Sequence, residues 1–520
     1  MHFGHQPPRW LFLGWLLFAL WLATREPPQL RGDGREYILQ TQALALRGEL
    51  RVEPAAARAY WNQTNPFGVE LGATRPPARE LCEAHQAGGG FGGLYPDRSG
   101  NYRYCHFWGY SLAVAPLYGL LHLCGGGVEY QAFRWMNLFF LLGPFVLAWR
   151  LTRTWAVLAV SLVALATPLP AYVSWSHPEL FCFGLTTSSL LLAGRPRVHL
   201  LSACLLAVAA AQNPPLLLCF PLHALVALQR RWPLTRRQLA LWAVSYLPAV
   251  LLIAGALLWT RHHCGVFNII TGAGLARWDY ASWASVTAVF LGPLIGALWY
   301  YPLCFLLLPA VIGRRDWPML IVALSAVLCA TWLATMTANF HSDQVGAWRY
   351  ATWLLAPLWF LLLAPAAPVR RNLLLAGLVA SLLLAGWHHH AGLTRNLARQ
   401  EQRQTRAAAT LYRLLPLRDD PEVIAEHIMR RELPVPSSFD AVYIWNLGPG
   451  DALWLVSRRW ANLNPAWPEK IAPRAAWREH PIYGPYLLFR RDGAVHALPC
   501  DGPAYLADPA GHLLPPAPAR

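Results

Sequence analysis

The sequence predicts a polytopic α-helical membrane protein of about eleven spans, with a small C-terminal α+β extramembrane domain. Composition is the first reason. Of 520 residues, 55% are hydrophobic and 13% charged, roughly half the charge of a soluble chain. The 26 tryptophans suit interfacial belts. The second reason is a recurrence of apolar segments between residues 10 and 387. The third is the clustering of arginines in alternate connections. The net charge of +16 therefore reads as membrane topology, and no nucleic-acid partner is expected. Lys470 is the one lysine.

The elements follow in order. Residues 1–9 are short and basic, and residues 10–24 form the first span, stopped by Arg25-Glu26-Pro27-Pro28. A cleaved signal peptide is the alternative, but no small-x-small site follows. Residues 25–130 read as an outer loop with juxtamembrane helices, including a glycine-rich turn segment at 88–93. Cys82 and Cys105 flank that segment, and a disulfide between them stays open. The multi-span domain occupies 131–390. After 108–124, apolar segments fall at 131–149, 155–173, 178–193, 199–211, 214–229, 238–260, 286–311, 317–337, 348–366 and 370–387. Several fall short of the roughly 20 residues of a straight span, so flanking polar residues must complete them.

Orientation comes from arginine. Arg150 and Arg153, Arg195 and Arg197, Arg230 to Arg237, Arg314 and Arg315, and Arg370 and Arg371 mark five connections. The positive-inside rule places these in the cytoplasm. The alternate connections, including 261–285 and 338–347, are then outside. Parity allows one crossing between the outer loop and Arg150. The span is assigned to 131–149, and 108–124 becomes a non-crossing helix that bends at Gly125.

Residues 391–520 change character and are expected outside. Residues 391–415 carry arginine, glutamine and leucine at helical spacing. From about 437, short runs such as Ala441–Trp445, Leu453–Val456 and Tyr486–Phe489 alternate with Gly, Pro and Asp, a strand pattern.

Chemistry concentrates just after the first span. The stretch 31–44 carries two carboxylates, Asp33 and Glu36, ahead of an amphipathic run from Tyr37. Asp33 as a helix cap is the plain structural reading. A carboxylate beside a membrane is also where a general base meets a lipid-carried substrate. Four stretches weigh on the second side: Asp33 to Leu39 with Arg47-Gly48-Glu49-Leu50; Asn101 to Tyr118; Phe133-Arg134-Trp135-Met136-Asn137; and Gly346 to Tyr350 with Pro357. In order and placement they resemble the GT-C superfamily of membrane glycosyltransferases, in particular its protein O-mannosyltransferase and aminoarabinose-transferase-like branch.

That resemblance covers roughly residues 10 to 390. It implies an inverting glycosyltransferase that moves a sugar from a polyprenyl-phosphate donor to an acceptor, on the outer face of a bacterial inner membrane. The active site and the C-terminal domain would face the periplasm. The acceptor, whether lipid, glycan or protein, stays open, as does the sugar. Asp33 matches the family's catalytic acid and would accept the acceptor's proton. Arg134, with Arg103 and His106, would hold the phosphate, for which arginine's planar fork is suited. Many relatives carry two adjacent acids, whereas Gly34 follows Asp33 here. Glu36 is thus a second catalytic candidate of lesser role. No cofactor is implied outright, and a divalent metal stays open.

Three further positions join the substrate-binding candidates or compete with them. His177, with Glu179, lies in an outside turn, Ser174-Trp175-Ser176-His177-Pro178-Glu179; a helix cap with an interfacial histidine explains it equally well. Arg349 lies at the outer membrane edge against the charge bias, a costly place without a partner or a function. His341 and Asp343 in another outside loop have a weaker claim to a ligand role. The run His388-His389-His390 reads as an interfacial stop. Membrane lipids are the remaining partners. The alternatives are a secondary transporter and an inactive accessory protein of envelope glycan assembly. The spans hold almost no mid-span charge and the chain shows no duplicated halves, which weighs against transport.

Overall fold

The computed structural model describes residues 6–25, 34–52, 94–125 except 100 and 105, 130–229, 233, 235–272, 276–306 except 293 and 294, 308, 317–337, 348–364, 375–383 and six strands between 442 and 514. Asp33, Cys82, Cys105, the glycine-rich segment, His341, Asp343, the His388 run and residues 391–415 lie outside these. The described chain is predominantly helical, and three helices are long and apolar enough to cross a membrane: Gln131–Thr152, Arg236–Cys264 and Trp317–Ala334.

The chain divides into two units. The first comprises Met1–Ala276, Leu303–Leu333 and Thr352–Ser381; the second comprises Arg277–Pro302, Ala334–Ala351 and Leu382–Arg520.

In the first unit, α1 (Arg9–Thr24) is apolar around most of its surface. The sequence beyond it, Glu26-Pro27-Pro28, cannot continue a helix. α2 (Gly34–Arg47) carries Glu36 in its first turn and Arg47 in its last, each opposite in sign to its end of the helix dipole. Gly48, at φ +67°, closes α2 in the left-handed conformation that glycine adopts without strain. A two-stranded hairpin follows, β1 (Leu94–Pro96) and β2 (Tyr102–Tyr104), antiparallel with Tyr95 opposite Arg103. Val52, just beyond α2, bridges to Tyr102 of the hairpin. α3 (Gly109–Leu123) then packs on α2. Its 15 residues fall short of the roughly 20 of a straight span.

The core of this unit is built on α4 (Gln131–Thr152), α5 (Trp155–Ala164), α6 (Glu179–Ala193) and α7 (His199–Gln212). α6 is buried along nearly its whole length. It approaches α4 closely at Gly184, where a Cβ would stand 2.5 Å from the Phe140 carbonyl oxygen. Only glycine permits that approach, the usual way two apolar helices come together without a hydrophobic driving force between them. Phe145, Phe183 and Trp359 interlock beside it, with ring centroids 5.9 to 6.3 Å apart. Trp359 lies in the helix Ala356–Leu363. Phe12 of α1 stacks on Trp149 of α4 at 4.5 Å, and the Trp15 indole donates to the Ser161 carbonyl at 2.8 Å. These contacts hold α1 against α4 and α5.

The expected span at 155–173 is shorter in the structure. α5 ends at Ala164, and a 3-10 turn, Leu169–Ser174, replaces its last third. The reason is Thr167-Pro168-Leu169-Pro170, where proline removes amide donors and restricts its predecessor. Beyond α7, a 3-10 turn (Pro214–Cys219) leads into α8 (Phe220–Gln229). α9 (Arg236–Val244) and α10 (Leu247–Cys264) together make the 29-residue candidate span; α10 packs on α7 through Ala249 and Ile253, and little of the span is buried. Thr235 and Gln238 form a reciprocal capping box at its start.

The expected continuous span at 286–311 is broken. In the second unit, α11 (Trp283–Leu291) stops at Gly292, and a short turn of helix covers Ala297–Tyr300; in the first unit another covers Leu303–Leu306. The sequence carries Pro293, Gly296 and Pro302 here, and each disfavours helix propagation. α12 (Trp317–Ala334) and α13 (Ala356–Leu363) complete the long helices. The second unit also holds β3 (Val442–Gly448), β4 (Asp451–Val456), β5 (Ala475–His480), β6 (Gly484–Arg490), β7 (Ala504–Ala507) and β8 (Leu513–Leu514). They form one sheet in the order β5-β6-β4-β3-β7-β8, antiparallel except between β3 and β7.

Candidate functional site

Polar side chains collect where α2 begins. Glu36, 5% exposed, places its Oε2 3.4 Å from His106 Nε2. His106 precedes α3, so this ion pair joins the first turn of α2 to the segment leading into the next helix. Tyr37 stacks on the His106 ring at 5.1 Å and meets Tyr110 edge-on at 5.5 Å. Its hydroxyl accepts from Gln212 Nε2 at 3.3 Å, and Gln212 Oε1 accepts from the Tyr110 amide at 3.1 Å. One glutamine at the end of α7 thus fixes both α2 and α3.

His177 closes the other side. It is 2% exposed, and its ring centroid lies 5.8 Å from that of Tyr37. Its Cδ2–Nε2 edge faces Gly34, 3.6 Å from where a Cβ would stand. Its Nδ1 lies 3.7 Å from Glu179 Oε2. Two Glu–His pairs, Glu36–His106 and Glu179–His177, therefore flank Tyr37. Carboxylates buried to this extent call for partners, and each faces a histidine, at 3.4 Å for Glu36 and 3.7 Å for Glu179.

The turn that carries His177 is held from α4. Asn137, wholly buried, accepts from the Tyr110 hydroxyl at 2.9 Å and donates to the Tyr172 carbonyl at 3.3 Å. It also donates to the Trp175 carbonyl. Ser111 on α3 donates to Gln40 Oε1 at 2.7 Å. This network ties α2, α3, α4 and the 169–177 turn into one frame.

The remaining expected residues are placed as follows. Arg134, at the start of α4, directs Nη1 to the Thr24 carbonyl at 3.4 Å and lies over Trp135 at 5.8 Å. It therefore stands at the exit of α1, where the acidic stretch begins in sequence. Arg103 is committed to a carboxylate: its Nε donates to Asp97 Oδ2 at 2.9 Å across the hairpin. It also contacts His263 Nδ1 at 3.2 Å and lies over Trp259 at 5.0 Å. Arg349 belongs to the second unit, buried, with Nη2 3.3 Å from the Tyr350 hydroxyl. The structure thus brings Glu36, His106 and His177 together. Among the described residues, no group of three or more His, Cys, Asp or Glu side chains is arranged to hold a metal.

Two titrating groups outside the helices sense this surface. Burial pushes the Asp97 carboxyl up, but the Ser99 hydroxyl, the amides of Asn101 and Ser99 and the Arg103 guanidinium outweigh it, and the net shift is down. Burial, with the Glu36 charge second, drives the Tyr104 phenol well above its ordinary value. Tyr104 lies on β2, and its buried hydroxyl has no hydrogen-bond partner among the described residues. Tyr37, Tyr104, Gln212 and Asn137 are the members that sequence reasoning did not single out as site residues. The only signal for them was their type: polar groups inside apolar runs demand partners.

No family model matches the chain, and no curated protein or solved structure matches it either.

Proposed function

We propose that the protein is a polyprenyl-phosphate-dependent glycosyltransferase of the GT-C kind, acting with inversion at the outer face of a bacterial inner membrane. The observation that carries this reading is the cluster at the start of α2, with Glu36, His106 and His177 around Tyr37. It lies directly after Asp33 in sequence, and Asp33 is assigned the general base. A sugar phosphate already has a good leaving group, so transfer needs a proton acceptor and a cation for the phosphate. Arg134, at the exit of α1, is assigned that second task. Glu36 assists the second task by orienting His106 toward the donor phosphate.

The membrane region comprises about eleven spans in this proposal, with α3 lying at the outer surface. The six-stranded sheet belongs to a small α+β domain in the periplasm, available for acceptor selection. The test is direct. Purified protein in detergent is given synthetic polyprenyl-phosphate-linked sugars with lipid, glycan and peptide acceptors, and release of polyprenyl phosphate is measured. Release that depends on Asp33 is the expected result. No release with any donor, from protein whose Glu36–His106 region is intact by hydrogen exchange, would reject the proposal. Cysteine labelling complements it: positions near 235 should react from the cytoplasm and positions near 450 from outside.

A further inference from the structure

The C-terminal end of α10 gathers cations that outnumber the carboxylates beside them among the described residues. Arg98 comes from the turn between β1 and β2, and Arg261, His262 and His263 come from the last turn of α10. The Arg98 amide donates to the His263 carbonyl at 2.9 Å, so the turn and the helix end form one piece of backbone. The Arg98 guanidinium lies 3.6 Å from the place a Cβ would occupy on Gly265, whose φ is +79°. Arg261 Nη1 donates to the Gly265 carbonyl, and its guanidinium lies 5.6 Å from the Phe267 ring centroid.

The carboxylate beside them, Asp97, is already occupied by Arg103, the Ser99 hydroxyl and the Asn101 amide. Among the described residues, Arg98, Arg103 and Arg261 thus stand near one acid, Asp97. Among the described residues neither Arg98 nor Arg261 pairs with a carboxylate, and both are exposed.

The helix below is what locates this cluster. Leu247, Val250, Leu251 and Leu258 of α10 are more than half exposed, on a candidate span little of which is buried. Lipid chains are the solvent that suits such a surface. Arg261 lies one turn beyond Leu257 and Leu258, so the cations sit at headgroup depth. Trp259, under the Arg103 guanidinium, fits an interfacial belt. Arginine at the outer end of a span also runs against the usual charge bias.

We propose that Arg98 and Arg261 form a seat for the phosphate of an anionic lipid headgroup, with α10 as the wall against which its chains lie. The two guanidinium groups supply charge-assisted donors, and the bound Asp97 leaves their positive charge uncompensated. This seat is independent of the transferase reading, since it uses neither Asp33 nor Glu36.

Full-length protein in nanodiscs tests it. Native mass spectrometry would count phosphatidylglycerol retained from discs of mixed phosphatidylglycerol and phosphatidylcholine. The wild type should retain phosphatidylglycerol in preference. Arg98→Gln with Arg261→Gln should weaken retention by about thirtyfold, the expectation for two arginines at an anionic surface. Arg98→Lys with Arg261→Lys keeps the charge and should retain most of it. Equal retention by wild type and the Gln pair would overturn the proposal, as would a loss in the Lys pair as deep as in the Gln pair. Inorganic phosphate is the second arm. If it raises the Tm of the wild type but not of the Gln pair, and phosphatidylglycerol does not, the seat takes a soluble anion and the lipid assignment fails.

Discussion

Asn137→Ala should be among the most damaging single changes in the first unit. Asn137 is wholly buried and joins three pieces of chain. It accepts from Tyr110 on α3 at 2.9 Å and donates to the Tyr172 and Trp175 carbonyls of the turn that carries His177. Interhelical hydrogen bonds between membrane helices are worth only about 0.6 kcal/mol on average when both partners find substitutes. Here substitutes are lacking, because the Tyr110 hydroxyl is itself wholly buried. Each group left unpaired costs about 1–3 kcal/mol. An unpaired phenol at about 1–3 kcal/mol and a lost bond to the Trp175 carbonyl at about 0.5–1.5 kcal/mol put the loss at about 1.5–4.5 kcal/mol. Tyr110→Phe removes only the first bond and should cost about 1–2 kcal/mol. The two changes share a bond, so their effects should fall short of additive by at least about 0.5 kcal/mol. Thermal unfolding in detergent, followed by tryptophan fluorescence, supplies the cycle. A change of under about 0.5 kcal/mol for Asn137→Ala would be the size of an ordinary surface substitution. It would refute the argument that this amide holds the His177 turn.

Three other outcomes follow from the same geometry. Gly184→Ala places a methyl 2.5 Å from the Phe140 carbonyl oxygen, so α4 and α6 must separate; overpacking of this kind costs about 1–3 kcal/mol, measurable as a lower Tm than wild type. Asp97 titrates below its ordinary value of 3.8, so its contribution to the hairpin is complete above that pH and is lost as the pH falls through the lowered folded value. Hydrogen exchange at residues 94–104 should therefore accelerate below the carboxylate range in the wild type, and an Asp97→Asn variant should exchange fast at neutral pH with no further acid step. Tyr104→Phe deletes a buried hydroxyl that has no partner among the described residues, so stability should hold or rise; a loss above about 1 kcal/mol would mean the hydroxyl is bonded after all.

The helical segments were readable because apolar runs long enough to be buried or to span leave a strong signal. α1 spans Arg9–Thr24 and α2 spans Gly34–Arg47, close to the runs at 10–24 and Tyr37–Leu46. The errors lie at proline. Thr167-Pro168-Leu169-Pro170 ended α5 early, and Pro293 and Pro302 flank the break in 286–311, although hydropathy is indifferent to both. Hydropathy measures transfer into lipid, whereas proline acts through a missing amide and a steric clash. Within the site, residue type marked Glu36, His106 and His177, but not their meeting. His106 lies 70 positions from Glu36 in sequence, and only the packing of α3 on α2 joins them. Arg103 reads alone as a free cation, yet the hairpin register sets it beside Asp97, six residues away.

The central claim is that the acidic stretch before α2 performs chemistry, and the most direct measurement is sugar transfer from a polyprenyl-phosphate donor by Asp33→Asn and Glu36→Gln proteins. Asp33→Asn keeps shape and removes the base, so transfer should fall at least about a hundredfold, the lower range for loss of a general base. Glu36→Gln loosens the His106 pair, 3.4 Å long in the wild type, and should cost about tenfold, as a lost orienting charge. Near-normal transfer by Asp33→Asn with none by Glu36→Gln would move the base to Glu36. Normal transfer by both would contradict the account.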